Sequence, residues 1–532
     1  MRRYIQKQLI QLIETLDEGI RYIVERHSNT RVDIFNDCLE GIDAIINILN
    51  EQHFNEQREE EYNFILHEIF NSMEIVGARI INEDTLMEEG EKVCLALNRL
   101  YIEIQKEEVK LEVVFLPYKV SMWDSLESIW RAACADERCE CYVVPIPYYD
   151  KNSDGSFGEL HYEGAEFPED IPITSYEEYD FENRYPDIIY IHNPYDEYNY
   201  VTSIHPYFYS HKIKKFTDML VYVPYCISGM YTNIDKGLKQ YVTSAMIHSD
   251  VIITQNQQQS DFLEKCGCSK EKLVALGTPK LDAVYHMYEK PPKIPKEWKD
   301  KINNKKVILI NFTLGTILQN EIWIDRYIYY IDLILKDDKF TIIYRPHPLM
   351  EATLKSMRPH LYSRYMKLIN KISDKNNVII DKNEMSEPAF WCSDAIISDY
   401  SSLPLKYIAT GKPVYLFILN PKVYIPEEKR YMDKVVVFDY FESYFWTFDK
   451  EICIKEQFDV YEKTRYDAEN NVFKVRPIEM TEFIKMIKNN SDINKENRIE
   501  AMKRSVINAD GTSGYNINKY VVDSIYQGTE KR

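Results

Sequence analysis

A chain of 532 residues is too long for one hydrophobic core and points to two large domains with a smaller one beside them. Its formal charge of −20 repels polyanions at long range and argues against nucleic acid as a partner, and no apolar run approaches the roughly 20 residues that span a bilayer. The ten cysteines are scattered apart from Cys139/Cys141 and Cys266/Cys268, with no second pair or histidine at zinc spacing, so free thiols in a reducing compartment are expected and no metal site.

The start, "MRRYIQKQLIQLIETLDEGI", has no secretory-signal pattern, which makes a cytoplasmic location the expectation. Over residues 1–107, apolar residues recur at helical spacing (Leu9, Leu12, Ile13, Leu16, Ile20, Ile23), and a helical bundle is predicted. From 108 to 288 short apolar runs alternate with helical patterns: "KLEVVFL", "CYVVPI", "DIIYIH", "MLVYVPY", "DVIITQ" and "LVALG". That alternation predicts a parallel sheet with helices on both faces, interrupted at 146–182 by a polar insertion expected as an exposed loop or flap. Its one basic run, "HKIKKF", reads first as a solvated helix face, with anionic headgroups as a minority alternative.

A Pro- and Lys-rich linker at 289–304 precedes a second alternating series over 305–490: "KVILINF", "FTIIYR", a helix over about 349–371, "NVIID", "AIIS" and "PVYLF". Residues 491–532 form a further helical segment. The predicted fold class is therefore α/β, two doubly wound parallel-sheet domains facing a cleft, with an N-terminal α-helical bundle. In such sheets ligands bind at the carboxyl ends of the strands.

Two strand ends of the second domain carry candidate chemistry. "SDYSS" places Asp399, Ser401 and Ser402 where a strand passes into a helix, and amides and hydroxyls there can hold a phosphate; a simple helix cap is the competing reading. "TIIYRPHPLM" puts Arg345 and His347 on the same edge, a cation that can grip a phosphate and an imidazole that can exchange a proton.

"RPHP", followed by "SDAIISDYSS" and "GKP", is similar to the CDP-glycerol glycerophosphotransferases of teichoic-acid synthesis, with their R-x-H-P and D-x-x-I-T-D-Y-S-S. "LGTPKLDAV" and "NADGTSGYNINKYVVDSIY" resemble weaker family motifs, and the likeness covers about residues 215–526. The resemblance implies a GT-B-like architecture and transfer of a polyol phosphate from CDP-glycerol or a related CDP-polyol, with no cofactor and no nucleotide-bound metal. Carried over by position, Arg345 and His347 would contact the donor phosphates, Ser401 and Ser402 would cradle the pyrophosphate, Thr313 and Thr316 would approach it, and Glu387 would bind the ribose. The acceptor would be lipid-linked or a glycan, which implies work at the inner membrane face. The bundle itself carries no candidate chemistry and reads first as a packing appendage, with docking, a membrane-surface role or homo-oligomerisation as the alternatives.

The chain departs from the family where W-H-G-T-P-L-K is expected. It reads "VYVPYCISG" there, with Tyr222 and Tyr225 but no histidine. His192, Asp196 and His205, in one segment beside the expected cleft, are the alternative bases, with Lys119 and Trp123 of "PYKVSMWDS" also on the acceptor side. Two other readings stay open: a GT-B glycosyltransferase using a nucleotide sugar, and a catalytically silent binding scaffold.

Overall fold

The computed structural model describes residues 1–25, 30–81, 86–152, 154–199, 201–227, 242–314, 317, 322–347, 350–399, 401–417, 422–425, 430–433, 445–447 and 480–530. Its first elements are α1 (Arg3–Glu25), α2 (Arg31–Asn50), α3 (Glu56–Ile81) and α4 (Met87–Gln105), which bury the periodic apolar stripe, Leu9, Ile13, Leu16 and Ile20 included, in a core of their own. The bundle is tied to the first sheet by ion pairs. Arg2 reaches the fully buried Glu112 at 2.7 Å, and Arg3 reaches Asp187 at 2.8 Å and Asp218 at 2.6 Å.

The strands that follow are β1 (Leu111–Leu116), β2 (Cys139–Val143), β3 (Tyr148–Lys151), β4 (Phe157–His161), β5 (Ile188–Ile191), β6 (Thr202–Ile204), β7 (Met219–Tyr222), β8 (Val251–Thr254) and β9 (Leu273–Ala275). A parallel sheet runs in the order β2-β1-β5-β7-β8-β9. It is covered on both faces, and the side-chain alternation of a strand shows this directly: Val113 and Phe115 enter one core, Val114 and Leu116 another.

Within the segment expected as an exposed loop or flap, Tyr148–Lys151 and Phe157–His161 pair with β6 as a small antiparallel sheet, β4-β3-β6; the remainder is mostly irregular and partly exposed, with Tyr148, Phe167, Ile171 and Tyr179 buried. Tyr148 and Tyr149 supply the pleated surface that strands favour.

The second sheet uses β10 (Lys306–Asn311), β11 (Phe340–Tyr344), β12 (Val378–Ile380), β13 (Ala395–Asp399) and β14 (Val414–Phe417), then the antiparallel pair β15 (Lys422–Ile425) and β16 (Arg430–Asp433), and β17 (Phe445–Thr447). Its parallel order is β12-β11-β10-β13-β14-β17, again with a core on each face, Ile308 and Ile310 on one side and Val307 and Leu309 on the other. The helix predicted over about 349–371 is two, Met350–Met357 and Pro359–Ser373, because a proline disfavours helical backbone in the residue before it and Arg358 sits at φ −142°, ψ 62°.

The last helix, Ser513–Glu530, crosses back to pack on the first sheet's α5 (Glu127–Cys134), with Ile517, Val521, Val522 and Ile525 in that core. Its start is held by Asp282, which is fully buried and accepts from the amides of Ser513 (3.2 Å) and Gly514 (2.7 Å) and from Ser128 Oγ (2.8 Å). "LGTPKLDAV" and "NADGTSG", 231 residues apart at this contact, therefore form one structural joint. Gly277 completes it at φ +96°, where an added Cβ would lie 2.1 Å from Ile507 O. We expect Gly277→Ala to lower stability by about 2–4 kcal/mol in denaturant unfolding; a loss below about 0.5 kcal/mol would show that the joint tolerates a side chain there.

Candidate active site at the junction of the two sheets

The loop after β1 brings the first domain to the junction. Pro117 to Lys119 lead into a short 3-10 turn, Val120–Ser125, and His192 at the end of β5 holds both ends of it. His192 Nε2 accepts from Tyr118 N at 3.2 Å, and Nδ1 pairs with Ser125 Oγ at 2.9 Å, whose own proton goes to Met122 O at 2.7 Å. An imidazole accepting at Nε2 carries its proton on Nδ1. Burial first, then the Lys280 charge, pushes His192 down to about 3, so it is a neutral, fully enclosed brace for the loop.

Asp124, in the middle of that turn, enters a buried group of charges. Its carboxylate pairs with Lys406 Nζ at 2.5 Å and with Lys280 Nζ; Lys406 also pairs with Glu387 Oε1 at 2.5 Å and donates to Ser386 Oγ at 3.0 Å. Asp124 belongs to the first domain, and Glu387 and Lys406 to helices Glu387–Cys392 and Ser402–Tyr407 of the second. Despite burial, the two ammonium groups hold the Asp124 carboxyl at about 2, well below its ordinary range.

The second domain's strand ends meet the same junction. Asp399, at the end of β13, accepts from Thr313 N (3.1 Å) and Thr313 Oγ1 (2.6 Å), tying the loop after β10 to the "SDYSS" turn. Ser401 stands before the short helix in extended backbone and makes no cap bond; its hydroxyl is buried with no partner among the described residues, while Ser402 is exposed. Glu387 Oε2 and Ser398 Oγ are likewise buried without partners there. Thr316 lies outside the described residues.

Arg345 is differently placed from a free phosphate grip. Its guanidinium donates to Asp381 Oδ2 (2.6 Å) and to the carbonyls of Asn383 (2.8 Å) and Glu384 (2.8 Å), which orders the loop after β12. His347 is partly buried, and burial, followed by the Lys119 charge, pulls it below its ordinary range, so the imidazole is neutral at pH 7.

The other expected acceptor-side residues divide by environment. Trp123 is fully buried in the first-domain core and does not line the junction. Asp196, at φ 49°, accepts from Ser210 N (3.0 Å) and Oγ (2.6 Å), and burial raises it to about 6. His205 Nδ1 accepts from Tyr207 N (3.3 Å) and its ring stacks on Tyr149. Both are turn-holding residues in this structure. Tyr222 is buried at the end of β7, and Tyr225 lies edge-on to His192 with ring centres 6.2 Å apart. Lys119 is half-buried in the turn at the junction, its Nζ donating to Tyr148 Oη, which in turn donates to Glu163.

Residues 229–450 match the sequence model of the family described as CDP-Glycerol:Poly(glycerophosphate) glycerophosphotransferase. The resemblance read from "RPHP" and "SDYSS" holds. No curated protein sequence matches the chain. Among solved structures, the wall teichoic acid polymerase TagF, soaked with CDPG, is similar at 15% identity with a TM-score of 0.45, covering 87% of this chain and 98% of that one. The UDP-GlcNAc 2-epimerase from Neisseria meningitidis bound to UDP-GlcNAc is similar at 14% identity with a TM-score of 0.43, covering 78% and 100%. The chain folds as two parallel-sheet α/β domains with an added N-terminal helical region. Among the described residues no helix is long and apolar enough to cross a membrane.

Sequence reasoning passed over Asp124, Lys280, Lys406 and Glu163. A usable signal was present in Lys406, a cation set between Leu405 and Tyr407, both of which are buried. We expect Asp124→Asn to cost about 3–5 kcal/mol in denaturant unfolding, because it leaves two buried ammonium groups against one carboxylate. Adding Lys406→Met should recover part of that loss; a double variant as weak as the sum of both singles would show that the two residues are not coupled.

Proposed function

We propose that this chain transfers a glycerol-phosphate or related polyol-phosphate group from a CDP-linked donor to a hydroxyl of a cell-wall or surface-glycan acceptor, releasing CMP. The observation that carries this reading is the content of the family-matched segment: residues 229–450 contain the three strand ends, of β10, β11 and β13, that bring the Asp399-held Thr313, His347 and the Ser401–Ser402 turn to one edge. In this account the diphosphate lies against Ser401 and Ser402, and Glu387 Oε2 accepts from a ribose hydroxyl. The acceptor oxygen attacks the β-phosphorus, a new O–P bond forms, and the bond from that phosphorus to the bridging oxygen breaks with its electron pair leaving on CMP. The acceptor's proton passes to the neutral imidazole of His347. Positioning and fixed charge supply most of the rate, as in other phosphoryl transfers. The same reading puts the protein to work on lipid-linked or glycan acceptors at the inner membrane face.

A binding scaffold is the second reading, favoured by one specific observation: the first-domain groups His192, His205 and Asp196 are all engaged in holding turns. A thermal-shift panel of CDP-glycerol, CDP-ribitol, CDP, UDP-sugars and GDP-sugars separates these accounts. Stabilisation by CDP-polyols with release of CMP supports the transferase, stabilisation by a UDP- or GDP-sugar alone points to a glycosyltransferase, and nucleotide binding without turnover points to the scaffold.

His347→Ala should lower CMP release by about 10²–10⁴-fold with a smaller change in donor affinity. The sign of the pH dependence follows from the neutral base. Activity falls as the pH drops through a value below about 6.5, where His347 protonates. That acidic limb should be missing from the residual activity of His347→Ala, and an unchanged limb would assign it to another group.

A further inference from the structure

The partners and exposure of the cations at the facing strand ends single out one of them. Arg345 spends its guanidinium on Asp381 and two carbonyls. The three ammonium hydrogens of Lys406 are matched by three acceptors, Asp124, Ser386 and Glu387. Lys280 is buried against the same Asp124 carboxylate. Lys119 differs from all of these in being partly exposed with no carboxylate partner among the described residues: its one hydrogen-bond partner there is the neutral Tyr148 Oη, at 3.0 Å, which leaves two N–H groups to give.

The lysine is nonetheless held in place. Its Nζ lies 4.1 Å from the centre of the Tyr148 ring, Tyr148 Oη donates to Glu163 Oε1 at 2.7 Å, and Glu163 Oε2 accepts from Val120 N at 2.8 Å, which closes a ring of contacts back to the residue after Lys119. Five residues further on, Asp124 pins this turn to Lys406, in the short helix that begins at Ser402. The Lys119 charge is felt by His347 on the other domain, which depresses the imidazole further.

We infer that Lys119, carried by the first domain, supplies the ammonium that contacts the diphosphate at Ser401 and Ser402, with Tyr148 and Glu163 as positioning residues, so that the phosphate site is completed from both domains. The ligand class is a nucleoside diphosphate or its ester. The inference rests on the reading that a diphosphate occupies the Ser401–Ser402 edge. It adds the cation that neutralises it, and it gives the small sheet β4-β3-β6 a task.

Calorimetric titration of the full-length protein with CDP, UDP, inorganic pyrophosphate and cytidine tests this. Lys119→Met should weaken CDP and pyrophosphate about tenfold to hundredfold, the range for a hydrogen bond to a charged group, and leave cytidine unaffected. It should also flatten the salt dependence of CDP binding, and Lys119→Arg should restore both affinity and salt dependence. Tyr148→Phe should cost about three- to tenfold on the diphosphates alone, through loss of one positioning hydrogen bond. Unchanged CDP and pyrophosphate affinity in a Lys119→Met protein that melts as the wild type does would overturn the inference and leave the donor reading standing. A wild type that binds UDP and not CDP, with the same loss in Lys119→Met, would overturn the CDP assignment and support the inference. A wild type that binds no diphosphate would overturn both.

Discussion

Buried charge at the junction of the two sheets sets the terms for everything around it. Taking Asp124, Lys280, Lys406 and Glu387 out of water costs several kcal/mol per ion, and their mutual pairing offsets that cost only while the members stay in contact. Two carboxylates and two ammonium groups balance, yet they come from both domains and from the helix between them, Pro279–Glu289. Separating the strand ends would leave a half-paired ion on each side. The network therefore acts as a constraint on geometry, keeping the turn that carries Lys119 against the helix that begins at Ser402.

The groups assigned to the proposed site are held through intermediates. His192 fixes the turn by accepting one amide and pairing with Ser125, and its own depressed basicity is the result of that enclosure. Asp399 fixes Thr313, Arg345 fixes the loop at Asn383 and Glu384, and Asp282 fixes the start of the last helix. Residues with obvious chemical character thus serve as supports, while among the described residues at these strand ends Ser398 Oγ, Ser401 Oγ and Glu387 Oε2 are buried without partners and Lys119 keeps two N–H groups to give. That division is expected where a site has to be rigid before its ligand arrives, since ordering the groups beforehand lowers the cost of binding.

How much of this the sequence disclosed depended on whether a residue's partner was local. Strands such as "KVILINF" and "AIIS" were legible because their apolar runs report burial on both faces of a parallel sheet, and the "SDYSS" turn was legible because strand and helix flank it. The long helix after His347 was misjudged at one proline, Pro359, and within the 146–182 insertion, which is mostly irregular as expected, the two short strands were missed because acidic residues masked the strand-forming tyrosines. Histidines 192 and 205 were taken for bases because a histidine after a strand carries no sign of whether its ring is enclosed. Long-range pairs were out of reach altogether: Asp124 and Lys406 are 282 residues apart, and neither has a neighbour in sequence that announces the other.

A crystal structure with CDP bound tests whether these facing strand ends make one diphosphate site. The account predicts the two phosphates between the Ser401–Ser402 turn and the Lys119 ammonium, with His347 beside the outer phosphate and the ribose against Glu387. A nucleotide held wholly within one domain, with its phosphates away from both Lys119 and Ser401, would contradict it.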